Sequence, residues 1–347
     1  MKATMRKFVT GPSLAFLQKA NLWVFGLALA VLLGWMPGQT SAADKALWTL
    51  DWAPYAAHTG YWHALEEGFF KRAGIDVKII RGYGSADTIK RIAAKRGDFG
   101  FADTGTLVVA RAKGAKVKSL GVLHNNEAHS VYALKSSGIR SVKDLEGRHY
   151  GDSKGGSTAS LFPALAAVNG VKNWKFTHLA PTAKNPGLLG KTVDFIATYS
   201  DVSEGMRRAA KKMGDVLIEL RWSNYGLTFH GNGIVAHDDT IATRPDLTGR
   251  FVNTVFAGVA DAIKNPNQAV DNFIKNAPTM NRDILVASWD MTITRAYTPE
   301  TKIIGVGGLS KKKMQATIDI ITKWMKVSTK AKITDIYAPQ FLKKHLP

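Results

Sequence analysis

Apolar and polar positions alternate along residues 44–123 in a rhythm that switches between a period of two and a helical period, which predicts successive β-α-β units. Short apolar runs at Ala46–Leu50, Ile75–Ile80, Asp98–Ala102 and Val117–Leu123 read as strands. Between the first two, a helix-like run to Phe70 stops at Lys71-Arg72-Ala-Gly74, and the next helix stops at Arg96-Gly97. Two loops leave these strands with polar and aromatic content: Asp51-Trp52-Ala-Pro54-Tyr55 running on to His58 and Tyr61, and Asp103-Thr104-Gly105-Thr106. A parallel arrangement puts both loops at one carboxyl edge of a sheet, where open α/β folds gather ligands.

The register changes after Leu123. Asn125-Asn126-Glu127-Ala-His129 interrupts the apolar pattern, which suggests a crossover to a second lobe. There Val131–Leu134, Arg148–Gly151, Phe176–Leu179, Phe195–Thr198 and Val216–Leu220 read as strands of a smaller parallel sheet, with Ser141–Asp144 as a capping box. Gly155-Gly156-Ser157-Thr158 leads into an apolar helix over Ala159–Val168, and Ser203–Met213 is a basic amphipathic helix stopped by Gly214. The strand Asn232–Ala236 returns the chain. From Arg244-Pro245 onward the pattern is helical, with apolar stripes at Phe251, Val255, Val259 and Ile263 and at Ile318, Ile321 and Met325. These helices are expected to pack back on the first lobe. Lobe one thus comprises residues 44–128 and 240–347, with lobe two, 129–239, inserted in it; no internal repeat is visible in the sequence.

The first 43 residues stand apart. Lys2, Arg6, Lys7 and Lys19 precede an apolar run from Leu22 to Met36, and Ser41-Ala42-Ala43 supplies small residues for a signal peptidase, so residues 1–43 read as a cleaved signal peptide. The run is shorter than the ~20 residues that cross a bilayer. The chain contains no cysteine, which removes disulfides, zinc-thiolate sites and a lipidated cysteine anchor. A freely diffusing, monomeric periplasmic protein held together by its core is the expectation, and 304 residues beyond the leader favour two lobes over one.

The formal charge of +20 drops to +16 once the four leader cations are removed. Those that remain are scattered, as at Lys90-Arg91, Arg207-Arg208 and Lys343-Lys344, and no helix-turn-helix, zinc-finger or RNA-recognition signature accompanies them. A solvated basic surface, or steering toward an anionic ligand or acidic partner, accounts for the excess, and no nucleic-acid partner is expected.

A flat solute needs an aromatic face and a few directional polar groups. Trp52 and Tyr55 are the stacking candidates, with Trp52 open to a second role as a core anchor and Tyr55 and Tyr61 to one at the rim. His58 either donates to ligand or braces the Asp51-Trp52 loop. Asp103 and Thr104 either face the ligand, where a carboxylate favours an amino or protonated ring nitrogen, or cap the next helix. In lobe two, Gly156, Ser157 and Thr158 either offer backbone N–H groups to an anion or make a tight turn. Tyr199 and Asp201 follow a strand at the same edge, and Asn224 and Tyr225 stand in the return loop. The histidines lack metal-ligand spacing.

Taken in order, Leu50–Pro54, His58, Tyr61, Glu67–Val77, Gly97–Gly100, Ser141–Gly147 and Asn265-Pro266-Asn-Gln268-Ala269 resemble the thiamine-pyrimidine-precursor group of the NMT1/THI5-like and SsuA-like periplasmic binding proteins, which serve ABC importers. The resemblance implies a type II periplasmic binding protein fold, α/β, with two lobes that close on a small-molecule solute and then dock on an inner-membrane ABC permease and its ATPase. A thiamine pyrimidine precursor is the first ligand it suggests; a sulfonate, nitrate or aromatic carboxylate, or a sensor role toward a signalling partner, are the alternatives. The same fold family includes a pyrimidine synthase with a pyridoxal-phosphate lysine, an active-site histidine and a cysteine-rich iron motif. Those positions fall here at Ala102 and Thr106, and the chain has no cysteine, so neither that chemistry nor a cofactor is expected.

Overall fold

A computed structural model describes residues 42–327 and 331–347. The leader expected over residues 1–43 lies outside them but for its last two residues. Among the described residues, ten strands form two five-stranded sheets: β1 (Asp44–Thr49), β2 (Ile75–Ile80), β3 (Phe99–Asp103), β4 (Val117–Val122), β5 (His129–Leu134), β6 (His149–Asp152), β7 (Lys175–His178), β8 (Phe195–Tyr199), β9 (Leu217–Arg221) and β10 (Asn232–His237). The first sheet runs β2-β1-β3-β10-β4 and the second β7-β6-β8-β5-β9, so the two lobes repeat one strand order.

Both sheets are mixed, where the sequence suggested parallel ones. β10 lies antiparallel between β3 and β4, and β5 antiparallel between β8 and β9. These two strands follow the segments that carry the chain from one sheet to the other, so each enters its new sheet from the edge opposite to a β-α-β strand. Membership of β10 in the first sheet also moves the second lobe's end: the chain is back in lobe one by Asn232, not near residue 239.

Helices cover the sheets as the apolar stripes suggest. Helices α1 (Thr59–Glu66), α2 (Ser85–Ala93), α3 (Thr104–Ala112), α4 (Ser157–Asn169), α5 (Pro245–Lys264) and α6 (Lys311–Trp324) carry most of the packing that positions the cleft. Phe251, Val255 and Val259 of α5 are buried on the first sheet, with Phe251 stacked on Phe99 at 3.8 Å and edge-on to Trp48 at 5.2 Å. Ile263 is only half-buried. A Cβ on Gly60 would lie 2.7 Å from the Val259 side chain, and one on Gly258 2.3 Å from Ala64, so both glycines are needed for α1 to approach α5 this closely. Ile318 and Ile321 of α6 join Ile89, Leu107 and Leu161 in a core shared by helices of both lobes.

The return segment between β9 and β10 buries His230. Its Nδ1 lies 3.2 Å from the Asn125 carbonyl and its pKa is pushed down to about 4, first by burial and then by the Lys313 ammonium. The fold therefore holds a neutral imidazole that the unfolded chain protonates below its usual pKa of about 6.5. Between those two values the unfolded state binds more protons, so stability is full above about pH 6.5 and falls by up to about 3 kcal/mol as the pH drops through 4. Urea unfolding at pH 7 and pH 4.5 is expected to show this loss in the wild type and a smaller one in His230→Asn; equal losses of unfolding free energy in the two proteins would assign the acid sensitivity elsewhere.

Candidate ligand cleft

Loops at the strand ends of the two sheets face one another across a cleft of about 440 Å³. From lobe one come Asp51–Tyr55 after β1 and Gly84-Ser85 after β2; from lobe two come Gly156–Thr158 after β6, Pro181, Thr182, Lys184 and Asn185 after β7, and Thr198, Tyr199 and Val202 around the end of β8. The lobes touch at the rim, where the Ala86 N–H donates to the Gly155 carbonyl at 3.1 Å. Gly84 makes this possible: its φ is +131°, and a Cβ there would sit 2.2 Å from the Gly155 oxygen.

Asp51 organises the lobe-one wall. Its buried carboxylate accepts from the Tyr55 hydroxyl at 3.1 Å, from Nδ2 of Asn232 at 2.7 Å and from Nε2 of His58 at 2.9 Å. Nδ1 of His58 accepts from the Tyr55 N–H at 3.3 Å, so one tautomer serves both contacts and His58 braces the loop. This leaves Trp52, half-buried against the lobe-one core, with a face on the cleft. Tyr55 lies beside it, its ring edge-on to His58 at 4.3 Å.

Hydrogen bonds run across the cleft floor from one lobe to the other. Asn232 Nδ2 donates to Asp51, its Oδ1 accepts from the Tyr199 hydroxyl at 2.9 Å, and Tyr199 in turn lies 2.5 Å from the Ser157 hydroxyl. Burial, reinforced by Asp51 and Asp201 at Tyr55 and by Asp103 and Asp51 at Tyr199, raises both phenols well above their ordinary pKa, so they remain donors. On the lobe-two wall, helix α4 begins at Ser157 after Gly156, which has no side chain to cap it, so its first N–H groups lack intrahelical acceptors. Lys184 is buried beside them, paired with Asp152 and donating to the Ala197 carbonyl at 2.6 Å.

Of the residues singled out in the sequence, Trp52, Tyr55, Gly156, Ser157, Thr158 and Tyr199 line this cleft. The others lie elsewhere. Tyr61 points from α1 into the core between Trp48 at 4.6 Å and Phe101 at 5.2 Å. Asp103 caps α3, accepting from the Thr106 N–H at 2.7 Å and its hydroxyl at 2.9 Å, while burial raises its pKa. Thr104 donates to the His230 carbonyl at 2.5 Å. Asp201 is buried behind the cleft, accepting from the Thr292 hydroxyl at 3.0 Å with His124 at 3.2 Å. Asn224 is exposed and Tyr225 half-buried on the lobe-two core. The cleft also includes Ser85, Lys184, Asn185 and Met280, which sequence reasoning passed over. Lys184 carried a usable signal, since the proline-bounded Pro181–Pro186 stretch, a 3-10 turn leading into a short helix, follows a strand at the same edge. Met280 carried none.

The sequence model of the family described as NMT1/THI5 like matches residues 55–269, more than half of the chain. The chain belongs to the NMT1/THI5-like family. Similar proteins include the 4-amino-5-hydroxymethyl-2-methylpyrimidine phosphate synthase of Schizosaccharomyces pombe, 25% identical over 67% of this chain and 70% of that protein. The riboflavin-binding protein RibY of Chloroflexus aurantiacus is 24% identical over 75% of this chain and 77% of its own length. Among solved structures, the periplasmic aliphatic sulphonate binding protein SsuA of Escherichia coli superposes with a TM-score of 0.65 at 16% identity, covering 88% of this chain and 94% of that one. This NMT1/THI5-like chain therefore has the two-lobed periplasmic binding protein fold. No helix among its described residues is long and apolar enough to cross a membrane.

Proposed function

We propose that the protein is an exported solute receptor that closes on a small heteroaromatic ligand, first a thiamine pyrimidine precursor, and delivers it to an ABC permease. One observation carries the reading: Trp52 and Tyr55 present an aromatic wall opposite the hydroxyls and helix start at Ser157 and Thr158, across a cleft that the lobes close. A flat ring with polar substituents fits such a pair of walls. Two relatives carry heteroaromatic rings in their names, a pyrimidine and riboflavin, which supports the same ligand class. The leader expected in residues 1–43 and the periplasmic SsuA support a periplasmic location. Titrating the purified protein with hydroxymethyl- or formyl-aminopyrimidine is expected to quench tryptophan fluorescence at micromolar ligand, about −8 kcal/mol. A flat titration would retire that ligand.

A second reading is a receptor for a sulfonate, nitrate or aromatic carboxylate. It gains from the placement of Asp103 away from the cleft and of the α4 start within it, whose uncapped N–H groups favour an anion at the lobe-two wall, while the Lys184 charge is paired with Asp152. Under this reading an alkanesulfonate or benzoate quenches at micromolar levels where the aminopyrimidines do not.

A further inference from the structure

The most exposed large apolar side chain among the described residues is Ile303, 72% accessible in the short helix Thr301–Ile304. It stands where that helix meets the segment carrying Leu346, another exposed aliphatic. The Val306 N–H donates to the His345 carbonyl at 2.8 Å, and a Cβ on Gly305 would lie 3.1 Å from the Cα of Lys344, so the two backbones touch. Asn253 of α5 fixes the second segment: its Nδ2 donates to the Phe341 carbonyl at 2.7 Å and its Oδ1 accepts from the Lys343 N–H at 2.8 Å. The start of α6 folds in beside them, because the Gly308 N–H donates to the Gly305 carbonyl at 3.1 Å and Lys313 is paired with Glu300 at 2.7 Å. Five more lysines stand exposed in these segments: Lys302, Lys311, Lys312, Lys343 and Lys344. None of the five forms an ion pair among the described residues, and neither 301–313 nor 341–347 contains an aspartate or glutamate. Lys302 lies over the Tyr297 ring at 5.4 Å, a contact that keeps its charge.

Solute capture gives this face no task, and aliphatic side chains exposed among unpaired lysines mark a contact surface. We propose that this face of lobe one rests on an anionic lipid surface, with Ile303 and Leu346 entering the boundary between headgroups and acyl chains and the five ammonium groups at the phosphates. Aliphatic tips and long lysine stems suit lipid. The centre of a protein interface favours aromatic residues and arginine, and these two segments hold no arginine and no exposed aromatic. A second copy of the chain would set lysines against lysines. The face is anchored to the first sheet, where Gly307 bridges Val122, so docking leaves the second sheet's lobe free to close over the cleft. The inference rests on the exported-receptor reading for the side of the membrane that is met.

The test is flotation of the full chain with vesicles of phosphatidylcholine alone or mixed with phosphatidylglycerol, wild type and variants being recovered in the same N-terminal form. The wild type should favour the anionic vesicles by at least about tenfold, and by less as salt is raised. Lys302→Gln, Lys343→Gln and Lys344→Gln together should lower partitioning by at least about tenfold. A control triple of equal charge from exposed positions elsewhere, Lys172→Gln with Lys211→Gln and Lys212→Gln, should stay within about twofold of the wild type. Ile303→Ser should weaken binding at high salt as well as low, since its share is not electrostatic. A wild type without preference for the anionic vesicles, or equal losses in the two triples, overturns the inference. A dimer in sedimentation velocity that Ile303→Ser dissolves would give the face to a second copy, and retention on polyglutamate without flotation would give it to an acidic protein; either result overturns it too. The wild-type measurement stands even where a variant misfolds. Flotation without fluorescence quenching by solute counts against the receptor alone, and quenching without flotation against the lipid-binding face alone.

Discussion

Trp52→Ala is expected to weaken ligand capture by roughly 30- to 1000-fold, the range of a buried aromatic hot spot worth about 2 to 4 kcal/mol. Trp52 offers the largest ring on the cleft, and its loop is held from behind by the Asp51 carboxylate and its three donors. The stack is thus preorganised, and the ligand orders little on binding. Isothermal titration calorimetry with whichever solute quenches fluorescence measures the loss. Tyr55→Phe, which removes one of the three bonds to Asp51 and keeps the ring, should cost far less. The half-buried Trp52 also contributes to the lobe-one core, so a modest fall in melting temperature is expected alongside. An affinity that survives Trp52→Ala would mean that the solute stacks on another surface.

Gly84→Ala should hold the lobes apart. A methyl group there meets three backbone atoms, the Gly155 oxygen at 2.2 Å, its carbonyl carbon at 2.4 Å and the Gly156 nitrogen at 2.8 Å, none of which is the yielding end of a side chain. The φ of +131° adds strain that a glycine does not feel. If the clash disfavours the closed form by about 1 to 3 kcal/mol, apparent affinity falls by roughly 5- to 150-fold even though no ligand contact is removed. Small-angle scattering with saturating solute is the direct measurement: the wild type should contract and the variant should not. Contraction equal to that of the wild type would show that the rim contact does not limit closure.

Strand positions were legible from the sequence because a five- or six-residue stretch between turn residues that is apolar throughout or alternates with a period of two has few other uses. β2 falls on the predicted Ile75–Ile80, and β10 extends the predicted Asn232–Ala236 by one residue. Strand direction was not legible, since a period of two is the same in parallel and antiparallel ladders; only the pairing of β10 with β3 and β4 reveals where the second lobe ends. The cleft was half legible for a similar reason. A polar residue at a strand end has two ways to satisfy itself, through a ligand or through nearby backbone, and both leave the same letter in the sequence. Asp103 took the second way by capping α3, and His58 by bracing Asp51, whereas Trp52 and Ser157 kept a surface on the cleft. Met280 reaches the site from a segment far along the chain, beyond the reach of any local pattern.

The shared strand order also constrains how the molecule assembles. The first sheet has a gap between β3 and β4 that only β10 fills, and β10 arrives about 110 residues after β4 ends, with the whole second sheet synthesised in between. Long-range pairing of this kind is slow to form because the intervening chain must first be closed into a loop. An N-terminal fragment ending before Asn232 is thus left with two unsatisfied strand edges, and the first sheet cannot close until about two thirds of the chain has been made.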